Sequence, residues 1–289
     1  MERIFLLIKT IFLVLILICG IFYKDSAVQI VSKTLEQINP KPKSAVQLTI
    51  EQKIGLAREE KDFPKKIVSV AESFYNTPYT ITSLNDDSLI IRTDSFNCWT
   101  FVETTVAIVL SSTSNKIDYD LFKQITHKIR YRKGVKNGYV SRIHYFLEWK
   151  LNLEKSEVAD DYSYYLNGQP IIKKLSYISS VAPDSLKKTL RTIEWNLSKE
   201  AFYYVPEDSI PNIEHKLLDG DIVGFVSDKE NIDINHIAII KKTDNKVLFI
   251  HATTTDNKVT LSHQTLFEYC KVKKNKIGII VLRLYKSDL

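Results

Sequence analysis

Cys98 stands in the stretch Phe96-Asn97-Cys98-Trp99-Thr100-Phe101-Val102-Glu103, after a polar turn and before an apolar run. Val102, Val106, Val109 and Leu110 recur at i, i+4, i+7 and i+8, one stripe of an amphipathic helix. Ser95 and Asn97 are both good N-caps, which predicts Cys98 in the first helical turn. There the unpaired backbone N–H groups and the helix dipole favour negative charge. A thiol so placed should ionise more readily, and the thiolate is the nucleophile. A lone cysteine is nevertheless more often a core residue than a catalyst, so its partners decide.

Two histidines are candidates for that partnership. His236 opens a predicted strand and His251 ends the next one. A hairpin turning at 243–245 would bring both to one edge of a sheet. A helix N-terminus carrying Cys98 across that edge would join a thiol, an imidazole to take its proton and a third polar group to orient the imidazole. Taken singly, a histidine at a strand start is an ordinary boundary residue. A further mixed group, Arg142, His144 and Tyr145, reads either as a solvated or packed segment or as a substrate wall. In the second reading Arg142 is a carboxylate clamp.

The elements that must position these groups are of two kinds. Apolar runs at 222–226, 236–240, 246–252 and 277–285, separated by short turns, predict an antiparallel meander. Helices are predicted over 67–75, with Ile67, Val70, Ala71 and Phe74 inward, and over 121–130 and 184–194. Residues 89–92 read as a short strand or an extended lead-in, and 261–270 as a helix or strand crossing. No chemistry is assigned to 151–210. The expected fold class is α+β, a cysteine-bearing helix packed on an antiparallel sheet, with helical and loop insertions.

Residues 4–23 are nearly all apolar and flanked by Arg3 and Lys24, the pattern of an export signal or an N-terminal membrane anchor. Lys9 shortens the clean run to about 14 residues, below the ~20 that a span prefers. Cleavage near Ala27, lipidation at Cys19 and retention as an anchor all stay open. Residues 1–24 are assigned to this leader, 25–60 to a polar tether with Pro40 and Pro42 that ends in a short helix near 49–60, and 61–289 to the catalytic domain.

The chain has 289 residues and a net charge of +6, with lysines spread rather than clustered, which does not support a nucleic-acid partner. No zinc-finger spacing, P-loop or dinucleotide fingerprint is present, so no metal or other cofactor is expected. Three cysteines are too few for a disulfide framework; Cys98 and Cys270 are expected to stay unpaired.

Several stretches resemble the DUF1460 family of the NlpC/P60 papain-like cell-wall hydrolases. They are Asn76-Thr77-Pro78-Tyr79, the Cys98 stretch, Arg130-Tyr131-Arg132-Lys133-Gly134 and Ser141-Arg142-Ile143-His144-Tyr145-Phe146-Leu147-Glu148-Trp149. Asp219-Gly220-Asp221-Ile222, Asn235-His236-Ile237-Ala238-Ile239 and Leu248-Phe249-Ile250-His251-Ala252 follow in the same order. The resemblance implies a papain-like fold with Cys98 as nucleophile, His236 as base and His251 as its orienter. It implies Tyr79 as the tyrosine whose hydroxyl helps hold an oxyanion, beside the Cys98 backbone N–H. Arg142, His144 and Tyr145 would face the substrate.

The implied activity is cleavage of the N-acetylmuramoyl-L-alanine amide in peptidoglycan fragments, by a monomer in the cell envelope. A D-γ-glutamyl-diamino acid endopeptidase and an idle, membrane-tethered peptidoglycan-binding protein are the alternatives. Two departures from the family pattern stand next to the thiol: Asn97 where Asp is common, and Trp99 where a smaller residue is usual.

Overall fold

A computed structural model describes residues 42–81, 89–243, 246–272 and 275–286. The apolar leader, Cys19 and the first part of the expected tether lie outside these residues. The end of that tether is helical, as expected near 49–60, and the helix begins earlier. Helix α1, Ala45–Glu59, buries Ile50, Ile54 and Ala57, which recur at i, i+4 and i+7 and join the main core. Residues 45–59, assigned from the sequence to the tether, pack with the main core because that stripe meets buried partners.

Helix α2, Phe63–Glu72, starts at the N-cap Asp62 with Pro64 in its first turn. The inward set Ile67, Val70, Ala71 and Phe74 is buried as expected. Residues 89–92 form no strand and lead into α3, Cys98–Ser111. Helix α4 is Tyr119–Arg130 and α5 is Phe146–Lys155. The 151–210 region folds as β1 (Ala159–Asp161), β2 (Gln169–Ile171), α6 (Tyr177–Val181), α7 (Asp184–Leu197) and β3 (Phe202–Pro206). Helix α8, Ile210–Ile213, precedes β4 (Ile222–Ser227), β5 (Ile234–Thr243), β6 (Lys246–Thr253), β7 (Lys258–Leu261), α9 (Leu266–Val272) and β8 (Lys276–Leu284).

The predicted meander is present, with β7 as an added short strand at its edge. All pairs are antiparallel in the order β2-β3-β8-β4-β5-β6-β7, and β1 also pairs with β8. Strand side chains alternate between two cores. Ile237, Ile239, Ile250, Ile280 and Leu282 belong to one cluster, with α1 to α5. Phe225, Ala238, Phe249, Ile279 and Val281 belong to the other, with α8 and α9. Every residue of β4 is buried, as a central strand covered on both faces requires.

The turn before β4 is closed by Gly220, whose φ of +79° suits glycine. A Cβ there would lie 2.8 Å from the Pro64 carbonyl oxygen, so α2 and the sheet approach through this residue. The fold is α+β, helices packed on an antiparallel sheet.

Candidate active site

The start of α3 is set by local chemistry. The Asn97 side chain accepts from the Thr100 backbone N–H at 2.8 Å. The Asn97 N–H donates to the Thr100 hydroxyl at 3.1 Å, which completes a capping box. Cys98 is thereby the first helical residue, half-buried and unpaired with Cys270; both thiols are free. The backbone N–H groups of Ile237, Trp99 and Cys98 favour its thiolate, but burial outweighs them and pushes the thiol pKa up. The expected easy ionisation is thus overturned by desolvation. The thiol needs a base beside it. The Ile237 contact places the sulfur against the residue that follows His236.

Strand pairing explains how the histidines meet. Strands β5 and β6 pair from Thr243↔Lys246 to Ile239↔Ile250, and there β6 continues against β7. His236 and His251 lie past the last β5–β6 pair, on the face shared with Phe225 and Phe249. His236 Nε2 is 2.8 Å from His251 Nδ1, the rings nearly perpendicular. Burial lowers the His251 pKa to about 4, so near neutral pH it is uncharged. A neutral His251 accepts at Nδ1 from His236 Nε2 in one tautomer and donates to it in the other.

Tyr79 is held on both sides. Its N–H donates to the Asn257 carbonyl at 2.9 Å, and it bridges Phe96, two residues before Cys98. Burial, then the nearness of an ionised Cys98, raises its phenol pKa, so its hydroxyl remains a donor. A second tyrosine, unforeseen from the sequence, flanks the same thiol. Tyr269 of α9 packs against His236 and His251, with ring centroids 5.9 and 6.0 Å away. Burial and then ionised Cys98 push its pKa up to about 12. No local pattern marks Tyr269, since its partners come from strands remote in sequence.

The Arg142–Tyr145 segment forms a neighbouring wall. Arg132 binds Glu148 through both guanidinium branches and donates to the carbonyls of Val140 and Arg142. His144 Nε2 donates to the Tyr139 carbonyl at 3.1 Å, and burial lowers its pKa to about 3. Its Nδ1 is thereby an acceptor. Tyr145 is only 3 % exposed; its hydroxyl donates to Glu194 at 2.6 Å and accepts from the Ile178 N–H. Tyr145 is therefore enclosed, its hydroxyl supplying the donor that the buried Glu194 needs.

Two buried carboxylates brace this arrangement. Glu103, on α3, meets Arg130 at 2.5 Å, and Arg130 also donates to the Ile90 carbonyl. Asp233, three residues before His236, accepts from the Leu147 and Ile234 N–H groups at 2.8 Å each. It caps α5 from another element.

Residues 69–279 match the AmiA-like family, described as N-acetylmuramoyl-L-alanine amidase-like. The chain belongs to that family. Among solved structures it is similar to an N-acetylmuramoyl-L-alanine amidase from Bacteroides uniformis ATCC 8492, with 30% identity and a TM-score of 0.73. That match covers 78% of this chain and 99% of the other. A putative xylanase from Bacteroides fragilis follows at 28% identity and TM-score 0.68, covering 74% and 99%. Protein LPG0564 from Legionella pneumophila, of the DUF1460 family, shares the fold at 16% identity and TM-score 0.62, covering 82% and 94%. No curated protein matches.

In this AmiA-like chain His236 meets His251, and Cys98 lies against Ile237, the residue after His236, with Tyr79 and Tyr269 near the thiol. Arg142 and His144 lie in the segment that leads into α5, whose Trp149 packs on Trp99 of α3 at 5.6 Å. Among the described residues no helix is long and apolar enough to cross a membrane.

Proposed function

We propose that this AmiA-like amidase is an exported cysteine hydrolase that cleaves the amide between N-acetylmuramic acid and L-alanine in peptidoglycan fragments. The observation that carries this reading is the 2.8 Å contact of His236 with His251, beside a thiol met by the Ile237 N–H. In this reading His236 Nδ1 takes the Cys98 proton and the thiolate attacks the lactyl carbonyl carbon. The Cys98 N–H and the Tyr79 hydroxyl donate to the developing oxyanion. The C–N bond breaks as His236 returns the proton to the alanine amine. Water then attacks the thioester, His236 accepts its proton, and the lactyl carboxylate leaves as the thiol re-forms.

Arg142 and His144 are proposed to contact the muropeptide, with Arg132 and Tyr145 holding their segment. The cysteine-bearing helix packed on the sheet is consistent with a papain-like, NlpC/P60-type scaffold. The apolar leader is consistent with a cell-envelope enzyme. Mass spectrometry of a defined muropeptide tests the bond: free sugar plus intact stem peptide is expected. A cut stem would show an endopeptidase instead, and full activity in Cys98→Ala would sink the cysteine mechanism.

A further inference from the structure

A hollow of about 80 Å³ adjoins His251, lined among others by His251, Thr253, Asp256, Ser262, His263 and Tyr269. His251 is only 4 % exposed, and its Nδ1 is taken by His236. If Nδ1 accepts, Nε2 carries the ring's proton. Nε2 makes no hydrogen bond to any described residue. His251 and Asp256 both line the hollow, so a water there can bridge the Nε2–H and the carboxylate. The hollow is larger than the ~10–15 Å³ that one water needs, and it offers the several polar partners that a buried water requires.

We infer that a water in this hollow joins the His251 Nε2–H to the Asp256 carboxylate, which makes Asp256 a positioning residue at the end of a Cys98–His236–His251–Asp256 relay. The inference rests on the cysteine-hydrolase reading. Asp256 lies in the turn between β6 and β7. That turn also holds Tyr79, through the Asn257 carbonyl.

The titratable groups facing His251 are His236 from β5, Tyr269 from α9, Asp256 from this turn and His263 from the segment before α9. Asp256 raises the His251 pKa and His263 opposes it, after the larger effect of burial. His263 meets Asp256 at 3.4 Å but is 79% exposed, so solvent screens that pair. The Asp256 charge therefore dominates at the end of the relay. It stabilises the imidazolium that His236 becomes when it takes the Cys98 proton.

The test is a ring-nitrogen NMR titration of His236 and His251 in the full chain, with the pH dependence of Cys98 alkylation measured in parallel. In Asp256→Asn the loss of negative charge should move the His236 titration and the alkylation profile toward acid by about half to one unit. Asp256→Glu should restore much of both. The result that overturns the relay is identical His236 titration in wild type and a folded Asp256→Asn. Should Asp256→Asn fail to fold, an Asp256→Glu profile shifted as far as that of Asp256→Ala would overturn it equally. Neither readout uses a muropeptide. A chain that cuts no sugar–peptide amide would leave this relay standing, so the two failures are distinguishable.

Discussion

His236 Nε2 and His251 Nδ1 are 2.8 Å apart although 15 residues separate them, because β5 and β6 stop pairing just before both rings. Only one proton can lie between the two nitrogens, and in the proposed relay His236 Nε2 carries it while the neutral His251 accepts.

That arrangement makes stability pH-dependent. The His251 pKa is about 4 when folded, against the ordinary 6.5. Between those values the unfolded chain binds more protons, so the contribution is intact above pH 6.5 and is lost as pH falls toward 4. His144, lowered to about 3, acts in the same direction. Denaturant titrations across this window should show a loss of up to about 3 kcal/mol from His251. His251→Gln, which cannot titrate, should flatten part of that slope.

Cys98 should depend on its neighbour for reactivity, since burial raises its pKa despite the helix start. Iodoacetamide followed by peptide mass spectrometry should label Cys98 well before Cys270, which is fully buried with a pKa of about 12. His236→Ala should slow Cys98 labelling at neutral pH and lower amidase kcat by about 10²–10⁴. Equal labelling of the two thiols would count against an activated Cys98.

Glu103 and Arg130 are 1 % and 5 % exposed at their side chains. Glu103→Leu alone leaves a buried unpaired guanidinium and should cost about 3–5 kcal/mol in denaturant unfolding. Glu103→Leu combined with Arg130→Met should recover most of that loss. A double variant no more stable than the single would refute this account of the pair.

Asp233 uses both carboxylate oxygens, one on the Leu147 N–H and one on the Ile234 N–H. Asp233→Asn presents one acceptor to two donors and should cost about 1–3 kcal/mol. Burial raises the Asp233 pKa to about 6, above the ordinary 3.8. The folded chain therefore binds more protons between those values, and this group alone favours folding as pH falls through 6. In Asp233→Asn that component should vanish from the stability–pH curve.

Much of the site was readable from local signals. Asn97 and Thr100 cap the helix three residues apart, so the Cys98 position follows from a handful of neighbours. The strands carrying His236 and His251 announce themselves by apolar runs between turns. Other features had a weak local signal or none. Tyr145 looks like part of a polar wall until Glu194, 49 residues on, takes its hydroxyl. Tyr269 meets the two histidines only through packing of α9 on the sheet. In α1 the apolar stripe was present but diluted by polar residues, and its partner core lies elsewhere in the chain.

By itself the sequence determined the helix that begins at Cys98, the antiparallel strands and the family pattern, because caps and apolar periodicity act over a few residues. The tertiary structure alone decided the ionisation of the thiol, the facing of the two imidazoles and the direction of Tyr145. Those depend on burial and on partners that only long-range packing brings within a few ångströms.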